Sequence, residues 1–155
     1  HFIGPIQSNK TRQMASAFSW VHSVDRLKIA RRLSEQRDPA LPPLNICLQV
    51  NINEEESKSG CTLDELPDLV AEIGELPNIS LRGLMANPDQ PEAGLRASFR
   101  KLANTLKQLR SDHPDAGPLD TLSIGMSGDL EVAIAEGATW VRVGTALFGK
   151  RPVKS

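Results

Sequence analysis

The chain has 155 residues, 39% of them hydrophobic, and 18 Lys+Arg against 19 Asp+Glu give a formal net charge of −1. That length suits one domain, residues 1–155, with one sizeable core. The balanced charge argues against a nucleic-acid or acidic-membrane surface. Cys47 and Cys61 have neither metal nor redox spacing, and His1, His22 and His113 show no metal or triad pattern. No apolar run reaches bilayer length and the start does not read as a signal peptide, so the chain is expected to be soluble and cytoplasmic.

In chain order, Phe2 to Ile6 reads as a strand running into a loop. Gln7-Ser8-Asn9-Lys10 starts a helix that carries Met14, Ala15 and Phe18. Trp20 to Val24 is the next strand, with His22 a packed or rim residue. Asp25 is expected to cap a helix over Arg26 to Gln36, with Leu27, Ile29, Ala30 and Leu33 inward. Arg37 to Pro43 is a loop. Leu44 to Ile52 is the strongest strand, apolar enough for a covered sheet. Asn53 to Gly60 is a polar loop. Thr62 to Glu65 resembles a capping box opening a helix that runs to about Glu75, with Pro67 in its first turn. Ile79 to Met85 is a strand and Ala86 to Glu92 a loop. A long amphipathic helix, Ala93 to Ser111, lines up Leu95, Phe99, Leu102, Leu106 and Leu109.

The final stretch, Ser123 to Gly149, is the most informative. Thr121 to Ile124 is a strand and Gly125 to Asp129 a glycine-bearing loop. Leu130 to Ala135 is a helix with a wide buried face, stopped at Gly137. Trp140 to Val143 is a strand, and Gly144-Thr145 opens a last short turn. Ser127 and Asp129 are each placed to cap the helix after them. Gly144-Thr145 offers free N–H groups and a hydroxyl. Either loop alone reads as caps and turns. Two of them flanking the strand-borne Arg142 favour an anion site, because helix N-termini and N–H concavities bind phosphate.

Six β-then-α units in strict alternation imply a parallel α/β sheet with right-handed crossovers. Both an open doubly wound sheet and a (β/α)₈ TIM barrel with two units missing satisfy that count, and the mid-strand start suits the second.

Five stretches carry a resemblance. They are His1-Phe2-Ile3-Gly4 through Asn9-Lys10, Asn51 through Lys58 to Gly60, Arg82-Gly83-Leu84-Met85, Gly125-Met126-Ser127-Gly128-Asp129, and Arg142-Val143-Gly144-Thr145. In this order they resemble the pyridoxal-phosphate homeostasis proteins, whose fold is the barrel of the alanine-racemase N-terminal domain. The resemblance implies a pyridoxal 5′-phosphate (PLP) binder without established turnover, acting in the cell's PLP homeostasis and not as an enzyme. It places Ser127, Gly144 and Thr145 on the phosphate, Arg142 opposite the pyridine nitrogen, Met126 close to the cofactor, and Lys58 as a secondary PLP-contacting lysine. Without the resemblance, Lys58 is equally a solvated partner of Glu54, Glu55 and Glu56.

The resemblance also puts the lysine that anchors PLP covalently on a first strand not found here. The chain is therefore expected to be the barrel minus its first two units, monomeric when complete and associating through exposed sheet edges as a fragment. Two alternatives remain. A PLP-dependent racemase needs a tyrosine as second base, and these 155 residues contain none. A PLP-independent phosphosugar-binding barrel shares the phosphate cup but does not require the other stretches.

Overall fold

The computed structural model describes residues 1–89, 91–150 and 152. Gln90, within the expected loop Ala86 to Glu92, lies outside the described residues. After a 3₁₀ turn at Ser8–Lys10 come α1 (Thr11–Ala17), β1 (Trp20–Val24), α2 (Leu27–Gln36) and β2 (Leu44–Gln49). They are followed by α3 (Leu66–Gly74), β3 (Ile79–Met85), α4 (Glu92–Asp112), β4 (Thr121–Ser123), α5 (Leu130–Ala135) and α6 (Thr145–Phe148).

The four strands are all parallel and lie in the order β1-β2-β3-β4. Each strand pairs with the next in sequence, so there is no point at which the order reverses. A doubly wound sheet needs such a reversal; a singly wound arc of a barrel does not. Right-handed crossovers then put every helix on one face. There Ile29, Ala30 and Leu33 of α2, Val70 and Ile73 of α3, and Phe99 and Leu102 of α4 join Val21, Ile46, Leu48, Leu81, Leu84 and Leu122 in one buried cluster.

The sheet is strongly curled. In a flat sheet β1 and β4 would stand about 14 Å apart, three strand spacings. Yet His22 Nδ1 on β1 lies 2.9 Å from Ser123 Oγ on β4. The concave face therefore closes on itself, and it is polar and aromatic where the helix face is aliphatic. Arg82 donates to both carboxylate oxygens of Asp120 (3.0 and 2.8 Å) and to Asn45 Oδ1 (3.0 Å), and its guanidinium sits 4.7 Å from the Trp20 ring centroid.

A bulge helps set this face. Register passes from Ile46↔Leu81 to Cys47↔Gly83, which leaves Arg82 as the extra residue on β3. Gly83 pays for the close approach of β4: a Cβ there would lie 1.8 Å from the Thr121 carbonyl oxygen.

Several sequence expectations are corrected. The Phe2 to Ile6 strand reduces to one bridge, Phe2↔Val21. Pro5 has no N–H to give, and the Gly4 carbonyl is taken by the Ser23 hydroxyl. β2 ends at Gln49, three residues short of Ile52, because the Asn51 side chain folds back onto the loop that follows.

Trp140 to Val143 forms only a bridge to Ser123, since β4 is three residues long and the chain turns away at Gly125 (φ +93°). The expected six units thus appear as four named strands. Asp25 does not cap α2; Arg26 is the N-cap, and the Asp25 carboxylate pairs with its guanidinium at 2.8 Å. Glu65 accepts from the Thr62 N–H at 2.7 Å as a capping box requires, but the helix itself starts at Leu66. In α5 only Val132 and Ala133 are buried. Ile134 is 59% exposed, because this six-residue helix packs on one narrow side.

Candidate functional site

The loops after the strands gather at the C-terminal end of the sheet, where parallel α/β folds place their sites. There Met126, Ser127, Gly128, Arg142, Gly144 and Thr145 line one open cleft of about 1390 Å³, with His1, His22, Asn87 and Trp140 on its other walls. Five of the six residues singled out for PLP meet in this cleft. Lys58 does not.

The cup is built differently from the capping scheme expected. Asp129 is the N-cap residue of α5, but its carboxylate makes no capping bond to the helix, and Ser127 does not cap it. The Asp129 carboxylate instead accepts the Met126 N–H at 2.5 Å, which pins the Gly125 to Asp129 loop. Ser127 Oγ accepts from the backbone N–H groups of Gly144 and Ala146, each at 3.3 Å. These bonds are long beside the usual ~2.9–3.0 Å. A neutral hydroxyl oxygen thus sits in a concavity of N–H donors that a phosphate oxygen, carrying charge, would hold more strongly. A Cβ added at Gly144 would meet nothing within 4 Å, so packing in this chain does not demand glycine there, and the room it leaves belongs to the cleft.

Arg142 reaches this site from the segment that follows α5. Its N–H donates to the Gly125 carbonyl at 2.9 Å, and Nη2 donates to the Ala86 carbonyl at 2.8 Å. Nε is buried and has no hydrogen-bond partner among the described residues. Burial lowers the guanidinium pKa from its ordinary value, against the opposing influence of Asp129 and Cys47. Arginine nonetheless stays charged, so a partly desolvated cation with a spare donor lies beside the cup.

His22 is 2% exposed and its pKa is lowered to about 4, first by burial and then by the charge of Arg142. It is therefore neutral near pH 7. Both ring nitrogens are engaged, Nδ1 with Ser123 Oγ and Nε2 with His1 Nδ1, each at 2.9 Å. His1 stacks on Trp20 (centroids 5.2 Å apart, planes 7° apart) and lies 4.6 Å from the Trp140 ring centroid. The reading of His22 as a packed residue stands. The aromatic wall it belongs to was not singled out in the sequence, and neither was Asn87.

Lys58 lines a separate, smaller cavity of about 120 Å³ with Gln49, Asn51, Glu55, Ser59 and Asn87. The loop bearing it is held by Asn51, whose Nδ2 donates to the carbonyls of Glu55 (2.8 Å) and Lys58 (3.2 Å) and whose Oδ1 accepts the Glu55 N–H (3.0 Å). Gly60 closes it at φ +134°, where a Cβ would lie 2.5 Å from Asn51 N. Asn51 and Gly60 of that sequence stretch therefore shape the loop. Among the described residues Lys58 makes no ion pair with Glu54, Glu55 or Glu56. Cys47 and Cys61 are free thiols, each pushed up to about 12 by burial. Among the described residues no group of His, Cys, Asp or Glu is arranged to hold a metal ion, and no helix is long and apolar enough to cross a membrane.

A singly wound parallel α/β arc whose strand-end cleft gathers backbone N–H groups, the half-buried Arg142 guanidinium and an aromatic wall defines a barrel-type α/β fold. The chain belongs to the alanine racemase N-terminal domain family, which matches residues 2–152.

Among curated relatives it is 61% identical over 153 residues to the pyridoxal phosphate homeostasis protein of Pseudomonas aeruginosa and 52% identical over 154 residues to that of Escherichia coli K12. Both alignments cover 97% of this chain and 64% of the relative, so the chain spans just under two thirds of these proteins. Among solved structures it is similar to PipY of Synechococcus elongatus with PLP bound (TM-score 0.86, 35% identity, 94% of this chain and 68% of that one). It is similar in fold alone to the alanine racemase of Clostridium difficile 630 (TM-score 0.69, 16% identity, 97% of this chain and 39% of that one). The expected fold class, a parallel α/β sheet of alanine-racemase N-terminal type, is borne out.

Proposed function

We propose that the cleft binds pyridoxal 5′-phosphate and that the protein to which this chain belongs serves intracellular PLP homeostasis without catalytic turnover, in the cytoplasm. Ser127, Gly144 and Thr145, with the Ala146 N–H, hold the phosphate. Arg142 faces the ring nitrogen and Met126 lies against the bound molecule. Lys58, across the Asn87 wall, is a secondary contact.

The observation that carries this reading is the half-buried Arg142 guanidinium, whose buried Nε has no partner among the described residues, beside a cup of N–H groups. The residues fit PLP: the cup suits its phosphate, the guanidinium suits a ring nitrogen, and Gly144 leaves open space. When bound, PLP supplies an electrophilic aldehyde on a conjugated ring. A guanidinium opposite the ring nitrogen disfavours protonation there, which weakens the ring as an electron sink and suits storage over catalysis. His22 supports the non-catalytic reading too, since hydrogen bonds occupy both its nitrogens.

The test is equilibrium binding of PLP to this chain, in competition with sugar phosphates, followed by borohydride reduction and intact-mass measurement. Binding that sugar phosphates fail to displace is expected. Equal affinity for both ligands would refute the reading in favour of a general phosphosugar cup. A stoichiometric adduct mapped to Lys58 would promote that lysine from secondary contact to anchor.

A further inference from the structure

The sulfur atoms of the chain sit in two cysteines and three methionines, and all but one are sheltered. Cys47 and Cys61 are buried, and burial pushes both thiols up to about 12, so neither forms the thiolate that oxidants attack. Met85 is 0% exposed, and Met14 is half-buried against the core. Met126 is 48% exposed and lines the cleft. Its backbone holds it there. The Asp129 carboxylate fixes the Met126 N–H, and the space behind the loop is filled: a Cβ on Gly125 would lie 2.5 Å from the Ala133 Cβ. Ser127, the next residue, carries the hydroxyl of the N–H cup. The one open thioether of the chain therefore stands beside the candidate phosphate site.

We propose that Met126 is an oxidation site at which hydrogen peroxide modifies the unloaded protein and lowers its affinity for PLP. This inference rests on the PLP reading above, in which Met126 lies against the bound molecule. The thioether sulfur attacks one peroxide oxygen and the O–O bond breaks. Sulfur keeps that oxygen, and the other leaves with both protons as water. Sulfur gives up two electrons and the peroxide takes them. The product, methionine sulfoxide, replaces a flexible apolar tip with a polar acceptor. Its partial negative charge beside the cup opposes a phosphate, so the oxidised cleft holds PLP more weakly. Bound PLP covers the sulfur, so the loaded protein resists the reaction. Thiol-dependent sulfoxide reductases reverse it, supplying two electrons and releasing the oxygen as water.

The experiment treats this chain with hydrogen peroxide, with and without saturating PLP, and follows each sulfur-bearing residue by peptide mass spectrometry. Affinity for PLP is measured by equilibrium dialysis before oxidation, after it, and after treatment with a sulfoxide reductase. Met126→Leu goes through the same steps, each sample compared with its own untreated control, and circular dichroism checks that it is folded. The peptide and reductase measurements on wild type stand without the variant.

Met126 is expected to oxidise ahead of Met14, Met85 and both cysteines, and PLP to slow it. Oxidation is expected to weaken PLP binding about tenfold, the reductase to restore it, and peroxide to leave the affinity of Met126→Leu where it was. Earlier oxidation of another sulfur overturns the proposal, and so does unchanged affinity in the oxidised wild type. A Met126 rate that PLP does not slow overturns it too, while the PLP affinity itself keeps the PLP reading intact. Failure of untreated wild type to bind PLP overturns the PLP reading and this inference with it.

Discussion

Replacing Gly83 with alanine tests the packing that holds the sheet in its curl. The new Cβ would lie 1.8 Å from the Thr121 carbonyl oxygen, 2.7 Å from its carbon and 3.0 Å from the Thr121 nitrogen. All three are backbone atoms, so no side chain can swing aside. Ordinary carbon–oxygen contacts begin near ~3.3 Å, so β4 must retreat by about 1.5 Å, which is enough to break N–H···O bonds of normal length. β3 and β4 are paired at only three positions, Gly83↔Thr121, Leu84↔Leu122 and Met85↔Ser123. At about 1 kcal/mol per bond the loss is ~3 kcal/mol, a large share of the ~5–15 kcal/mol that holds a domain together. The expected fall in Tm is about 6–12 °C at this chain length. Thermal unfolding followed by far-UV circular dichroism measures it, with Gly128→Ala as control, since a Cβ there meets nothing within 4 Å. If the two variants unfold at the same midpoint, the close approach of β4 to Gly83 is wrong.

Three further outcomes are expected. Gly144→Ala is expected to leave stability within about 0.5 kcal/mol of wild type, since its Cβ meets nothing in the chain; PLP affinity is expected to drop tenfold or more by titration, and an unchanged Kd would remove Gly144 from the cup. His22 makes stability pH-dependent. Its folded pKa of about 4 lies below the ordinary value of 6.5, so between those values the unfolded chain binds a proton that the folded chain does not. The stability His22 contributes is complete above pH 6.5 and is lost as pH falls to about 4. The loss is at most ~3 kcal/mol and smaller where water in the open cleft screens the ring. Arg142→Leu removes one cause and is expected to raise the His22 pKa while leaving it below 6.5, because burial is the larger cause; a proton NMR titration that finds it unmoved would separate the two residues.

Local pattern carried most of the fold. β1 and β3 begin and end where apolar runs and turn residues place them, and the five-residue stripe of α4 is buried throughout. What local pattern cannot show is contact across long loops. His22 and Ser123 are 101 residues apart, and only the curl of the sheet joins them. Arg37 is another such case. Read as loop, it is 5% exposed and donates to the carbonyls of Ala15, Phe18 and Pro42, closing the end of α1 without any carboxylate.

In the site, glycine and hydroxyl chemistry drew attention to Ser127, Gly144 and Thr145, but which groups Ser127 serves depends on the path of α6, and its hydroxyl turns to α6 instead of α5. Asn87 carried one usable signal, its place just after β3 at the end of the sheet where ligands bind. Its unpartnered oxygen is a property of the packed structure and has no trace in the sequence.

The aromatic wall of the cleft has an optical consequence. The chain has two tryptophans and no tyrosine. Trp20 and Trp140 are 5.8 Å apart by ring centroid, joined through His1, with Arg82 over Trp20. Nearly all ultraviolet emission from this protein therefore originates at one spot beside the cleft, close enough for the two indoles to couple. A chromophore entering the cleft would quench that light by energy transfer, so the native protein carries its own gauge of occupancy and needs no label.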